Sequence, residues 1–264
     1  MDRPSDVQLP APPSPHPPRS SSKSRSTIPL EKNPLLKHAS TTNSTTNGYL
    51  ILYNAISAAL WANILTQVLV LALGEGYGGV FEGTDEFVRV VQSLAGMEVV
   101  HSAIGLVRAP LLTTLMQVAS RFLLVWGIAF FFPGSTALSP AYTSMLLAWS
   151  LTEVIRYSYF VINLTYGFVP DAITWLRYNT FLVLYPLGIG SECWLVYRAM
   201  GEAGKAGGEG VFGGNAAVWW GLVGVLAVYV PGSWVLFTHM LGQRGKVMKG
   251  WREKKRVDAT KKRS

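Results

Sequence analysis

The stretch YLILYNAISAALWANILTQVLVLAL, residues 49–73, holds no charged side chain, and the uncharged run extends from Gly48 to Gly74. At about 1.5 Å of rise per residue, a helix of this length crosses a hydrocarbon core of about 30 Å. Inside a bilayer a helix satisfies its backbone amides within its own segment, whereas an open strand does not. The stretch is therefore read as a transmembrane helix, and it sets the fold class as an all-α, polytopic membrane protein.

Five further apolar segments follow, at roughly Phe87–Val107, Leu111–Phe132, Ala141–Tyr166, Ala172–Tyr197 and Ala216–Leu241. Pro110, Pro133, Pro140, Pro170 and the glycine-rich GEAGKAGGEGVFGG (201–214) supply the breaks between them. The expectation is a six-transmembrane-helix bundle over residues 49–241. Its second span is the least apolar, because Arg89, Glu98 and His101 interrupt it. Composition agrees: 49% of the 264 residues are hydrophobic and 14% charged, against about 25% charged in a typical soluble domain. One cysteine, Cys193, excludes an intrachain disulfide.

Residues 1–48 read as a disordered, Pro/Ser-rich tail. Their opening, MDRPSDVQLPAPPSPHPPRSSSKSRS, lacks the apolar centre of a signal peptide. Residues 242–264 form a basic tail. The N-terminal tail carries Arg3, Arg19, Lys23, Arg25, Lys32 and Lys37, and the C-terminal one carries ten Lys and Arg from Arg244 to Arg263. The loops EGYGGVFEGTDE (75–86) and PGSTALSP (133–140) carry none. The positive-inside rule then puts both termini in the cytosol. The net charge of +8 largely reflects these tails, so topology accounts for it and no nucleic-acid partner is expected. The terminal KKRS (261–264) resembles a dilysine retrieval signal of endoplasmic reticulum membrane proteins.

Ionisable groups inside spans cost about 2.5–3.5 kcal/mol each at a helix centre and need a reason. Glu153 and Arg156 are three apart and share a face with Tyr157, so a buried ion pair that fixes helix packing is the preferred reading. Glu98 and His101 are also three apart, and a packing hydrogen bond and a proton relay both stay open. Arg121 lacks a local acidic partner and is expected to meet Glu98 or Glu153. Arg108 and Arg177 lie near cytosolic ends, where snorkelling suffices.

The fifth span contains YPLGIGSE (185–192). Arg177, Phe181, Tyr185, Gly188 and Glu192 fall on one helical stripe. Tyr185 and Glu192, seven apart, are turned only about 20° from each other with about 10 Å of rise, a gap much of which a tyrosine side chain covers. Pro186 bends the helix, and Gly188 and Gly190 leave room for another helix or a slender ligand. A proline-kinked packing helix whose Glu192 meets Arg121 and a catalytic or binding site are equally compatible with the pattern.

HSAIGLVR (101–108) imitates a tyrosine-phosphatase signature, but Ser102 stands where the thiolate nucleophile belongs. Phosphatase chemistry is rejected. His16, His38, His101 and His239 are scattered, which argues against a di-iron desaturase or hydroxylase and leaves metal-free acid–base chemistry or none.

Four strings, VRAPLLTTLMQVASR (107–121), LLAWSLTEVIRYSYF (146–160), LRYNTFLVLYPLGIGSE (176–192) and YVPGSWVLFTHMLGQRGKVMK (229–249), together resemble the very-long-chain (3R)-3-hydroxyacyl-CoA dehydratases. The resemblance runs from about Tyr49 to Lys249. It implies a six-span protein of the endoplasmic reticulum that removes water from a 3-hydroxyacyl-CoA to give the trans-2-enoyl-CoA. It further implies Tyr185 and Glu192 as the catalytic pair, and Glu98, Arg121, Glu153, Arg156, Arg177 and Gly188 as supporting residues. One base and one acid suffice for this reaction, so no cofactor or metal is expected. Ionised Glu192 in a low-dielectric site is a stronger base than in water, with Tyr185 as donor to the leaving oxygen. The reverse assignment stays open. Implied partners are the acyl-CoA substrate, membrane lipid and the other elongation enzymes (elongase, ketoacyl reductase, enoyl reductase). The competing reading is a non-enzymatic membrane scaffold or small-solute transporter.

Overall fold

In the computed structural model, which describes residues 44–204 and 214–261, helices form wherever proline and glycine permit. They are α1 (Ser44–Gly74), α2 (Gly76–Leu94), α3 (Gly96–Ala103), α4 (Leu111–Phe122), α5 (Pro133–Thr136), α6 (Pro140–Tyr166), α7 (Asp171–Asn179), α8 (Phe181–Ala203) and α9 (Ala216–Lys261). A π-helical stretch, Leu123–Ala129, prolongs α4. No strand occurs among the described residues. The start of the proline-rich tail, most of the 201–214 break and the last three residues of KKRS lie outside the described residues.

The punctuation read from sequence recurs at the helix ends. Pro110 and Pro170 immediately precede α4 and α7, and Pro133 and Pro140 open α5 and α6, where a missing N–H costs nothing. Gly167 closes α6 at φ 70°, a left-handed conformation that a Cβ would strain, and its N–H reaches Asn163 O at 3.0 Å.

Several boundaries differ from expectation. α1 starts at Ser44, so the last residues assigned to the tail are helical. Residues 76–86, expected as a loop, are the first half of α2. Val80, Thr84, Val88 and Val91 recur at helical spacing there and are buried, which holds this polar-looking segment in a helix. The second expected span is divided at Ala95 between α2 and α3. The fifth is divided at Thr180, before Pro186 is reached, and α8 runs through that proline without a break. α9 continues through the basic segment to Lys261; Lys, Arg and Glu are good helix formers and there is no proline beyond Pro231 to stop it.

Four segments are long and apolar enough to cross a membrane: Thr45–Gly74, Leu111–Ala129, Asp171–Ala203 and Ala216–Glu253. They correspond to the first, third, fifth and sixth expected spans. α6 is not among them, although it is the helix around which the bundle is built, packing on α1, α2, α7 and α8. Its buried stripe, Tyr142, Met145, Leu146, Trp149, Ser150, Glu153 and Tyr157, faces inward and carries the polar groups that lower its hydropathy. The hydrophobic core further takes in Trp61, Ile64 and Val68 of α1, Val88 and Val91 of α2, Leu124, Val125 and Ile128 of the π-helical stretch, Leu195, Val196 and Ala199 of α8, and Leu222 of α9. The outside is apolar as well: Leu73, Val183, Val228 and Trp234 are all more than 60% exposed. That is the surface a bilayer requires, and between such helices close packing and polar contacts supply the cohesion.

Candidate active site

Glu192 sits on the inner side of α8, 5% exposed. Two helices supply its partners. The indole Nε1–H of Trp149, on α6, donates to Oε1 at 2.8 Å, and the phenol of Tyr229, on α9, donates to Oε2 at 2.6 Å. Both donors are uncharged, and one serves each oxygen. Gly188, one turn earlier, is buried where α8 packs against α6. A Cβ there would lie 3.6 Å from the Ala148 Cβ and 3.8 Å from Glu192 Oε1. The room left by Gly188 is taken by a helix, whereas Gly190 faces open space. Ser191 ties the same two helices through Ser144, Oγ to Oγ at 2.7 Å.

Tyr185 lies two turns before Glu192 and is half-buried. Its hydroxyl donates to Ser233 O of α9 at 2.9 Å, and its ring stacks on Phe237 with centroids 5.7 Å apart. No hydrogen bond links it to Glu192; the phenol that was expected to cover the gap turns toward α9. Both residues therefore contact α9, at Tyr229 and Ser233, which are one helical turn apart.

A second polar cluster lies among α3, α4 and α6. Glu153, 2% exposed, pairs with Arg121 and accepts from Arg156 Nε at 2.6 Å. Arg156 also grips Glu98 with both terminal nitrogens, at 2.6 and 3.0 Å, and Tyr157 donates to Glu98 at 2.5 Å. Two carboxylates and two guanidinium groups thus neutralise one another, the condition for burying charge. The expected Glu153–Arg156 pair forms, and of the two partners expected for Arg121, Glu98 and Glu153, the one it meets is Glu153. Glu98 and His101 do not bond each other: His101 Nε2 meets Tyr49 Oη at 2.8 Å instead. Nor does Glu192 ion-pair with Arg121, as a packing helix would have required. Arg121 is committed to Glu153, and its guanidinium lies over the Trp149 ring, 5.0 Å from the centroid. Arg177 joins neither cluster; it rests over the rings of Tyr159 and Phe160 at 4.5 and 4.6 Å.

Trp149 and Tyr229 were not singled out from sequence. Trp149 stands one turn before Glu153 on the same stripe, and Tyr229 two residues before Pro231. A buried indole N–H or phenol must find a partner, and that requirement is the signal that marks them. Among the described residues no three His, Cys, Asp or Glu side chains gather as a metal would need. What the arrangement offers chemically is one carboxylate free of ion pairing and one phenol, both on one face of α8.

A family model described as protein tyrosine phosphatase-like protein, PTPLA, matches residues 92–250. Among curated proteins, the chain is 45% identical over 202 residues to the "Probable very-long-chain (3R)-3-hydroxyacyl-CoA dehydratase" of Schizosaccharomyces pombe, covering 76% of this chain and 93% of that one. It is 38% identical over 205 residues to the very-long-chain (3R)-3-hydroxyacyl-CoA dehydratase PASTICCINO 2 of Arabidopsis thaliana, covering 76% and 92%. It is 30% identical over 219 residues to the human very-long-chain (3R)-3-hydroxyacyl-CoA dehydratase 2, covering 80% and 84%. No solved structure matches. Glu98, Arg121, Trp149, Glu153, Tyr185, Glu192 and Tyr229 all lie inside the matched region, and the chain belongs to the protein tyrosine phosphatase-like family, that of the very-long-chain (3R)-3-hydroxyacyl-CoA dehydratases.

Proposed function

We propose that the chain dehydrates very-long-chain (3R)-3-hydroxyacyl-CoA to the trans-2-enoyl-CoA, with Tyr185 and Glu192 as its acid–base pair. The observation that carries the reading is Glu192 itself, a buried carboxylate held by neutral donors in a protein whose relatives are named for this reaction. A proton leaves C2, whose C–H electrons form the double bond, and the C3 hydroxyl departs with a second proton as water. Nothing is oxidised, so a carboxylate and a phenol are sufficient. Glu192 takes the C2 proton. Tyr185 releases the Ser233 carbonyl and donates to the leaving oxygen. The neutralised cluster of Glu98, Arg121, Glu153 and Arg156 keeps α3, α4 and α6 in register behind the site.

The chain sits in the endoplasmic reticulum membrane with six spans and cytosolic termini. α2–α3 and α6 supply the two spans too polar to qualify by composition, and Asp85, Arg89, Glu98, Glu153 and Arg156 in them are paired with opposite charges. The acyl chain lies among the apolar helices and the CoA phosphates lie at the cytosolic face near Arg177 and the basic end of α9. The substrate is the product of a ketoacyl reductase and the product is consumed by an enoyl reductase, so these and the elongase are the expected partners. A scaffold or transporter finds no support in the relatives' names.

Purified full-length protein in lipid nanodiscs, given a very-long-chain (3R)-3-hydroxyacyl-CoA, is expected to yield an enoyl-CoA lighter by one water, read by mass spectrometry. E192Q is expected to yield none. Absence of product with the native protein, or full turnover by E192Q, overturns the reading.

A further inference from the structure

The reach of Trp149 and Tyr229 to Glu192 extends beyond packing. We propose that these two are positioning residues that aim the Glu192 carboxylate, confine its proton to Oε2 and keep it out of ion pairing; this rests on Glu192 being one half of the acid–base pair.

The donors have different chemistry. An indole N–H donates only, so the oxygen it meets, Oε1, is the oxygen that stays unprotonated. A phenol both donates and accepts, so Tyr229 serves Oε2 in either state of the carboxyl by rotating its O–H bond. The proton that Glu192 takes from C2, and gives up to restore the Tyr185 phenol as the pair resets, therefore belongs on Oε2. The two donors come from two different helices packed on α8, α6 and α9, and hold one carboxylate oxygen each. Trp149 has a second effect. Its ring face is occupied by Arg121, which bonds Glu153 instead of Glu192. The indole is thus a spacer between a cation and the carboxylate that does the chemistry. Glu153, held by two arginines, shows what a purely structural carboxylate looks like in the same bundle.

The test uses full-length protein in nanodiscs and the dehydration assay, with Y229F, W149F and E192Q compared. Y229F removes one oxygen atom, and W149F keeps an aromatic ring but no donor. Each is expected to lower kcat about 10- to 100-fold, the worth of a hydrogen bond to a charged group, with KM within about threefold. A loss of general packing would raise KM and lower thermal stability together. Wild-type kcat in both variants, beside an inactive E192Q, overturns this inference and leaves the proposed function standing. An E192Q protein with full activity removes the proposed function itself. Loss of the fold in both Y229F and W149F assigns the pair to the scaffold and also overturns the inference.

Discussion

The guanidinium of Arg121 lies against the face of Trp149, 5.0 Å from the ring centroid, while the same indole donates to Glu192 at 2.8 Å. One side chain thus separates two kinds of buried carboxylate. On one side Glu153 is neutralised by Arg121 and Arg156, and on the other Glu192 accepts, among the described residues, from an indole and a phenol. Under the proposed function the first serves cohesion and the second chemistry.

Breaking the first cluster should therefore damage the fold. E153Q leaves Arg121 and Arg156 with only Glu98 to balance them, and removing one partner of a buried pair costs about 3–5 kcal/mol. The expected outcome is a clear drop in apparent melting temperature, followed by fluorescence-detected size exclusion in detergent. An E153Q protein as stable as wild type would show that the cluster is not cohesive.

Gly188 gives a graded test of the α6–α8 approach. A methyl group there would make ordinary contacts, 3.6 Å from Ala148 Cβ, so G188A is expected to fold and to hold its melting temperature. Its better helix propensity offsets crowding by up to about 1 kcal/mol. G188L has no such space and should separate the helices and lower the melting temperature, by about 1–3 kcal/mol of overpacking. Equal stability of the two variants would mean that the helices are not in close contact.

Arg177 belongs to neither cluster and lies over aromatic rings, and among the described residues no carboxylate pairs with it. In R177L the KM for acyl-CoA is expected to rise about tenfold, with kcat changed less, and the wild-type KM should rise with salt while that of R177L rises less. Unchanged KM in R177L would remove the arginine from CoA recognition.

The parts that were legible in the sequence are local. Proline marks where α4, α5, α6 and α7 begin, because its backbone constraint acts on the residue itself. The Glu153–Arg156 pair follows from spacing along one helix, and the Arg121–Glu153 pair from charge balance in an apolar medium. Two features were not legible. Trp149 and Tyr229 converge on Glu192 from helices 43 and 37 residues away in sequence, and no periodicity reports such a distance. The direction of the Tyr185 phenol, toward Ser233 and not Glu192, depends on where α9 packs. Helical content of residues 76–86 and of the basic segment was also missed: glycine and polarity were read as loop or tail, whereas burial of Val80 and Thr84 holds the first segment helical and the Lys, Arg and Glu of the second are good helix formers.

Tyr185 offers the sharpest separation of structure from chemistry. Y185F keeps the ring stacked on Phe237 and removes only the bond to Ser233 O, a neutral contact worth about 0.5–1.5 kcal/mol. The variant should fold, enter nanodiscs and melt close to wild type. Its dehydration rate should nonetheless fall by at least about 100-fold, the lower end of what a positioned acid contributes. In the proposed mechanism the phenol acts at C3 while the acyl chain and CoA are held elsewhere, so substrate should still bind; binding is read by protection of the variant against thermal unfolding. A stable, substrate-binding and inactive Y185F places the phenol at the reacting atoms. A stable Y185F with wild-type turnover would move the acid to another donor, and Tyr229, already bonded to Glu192, would be the first residue to replace.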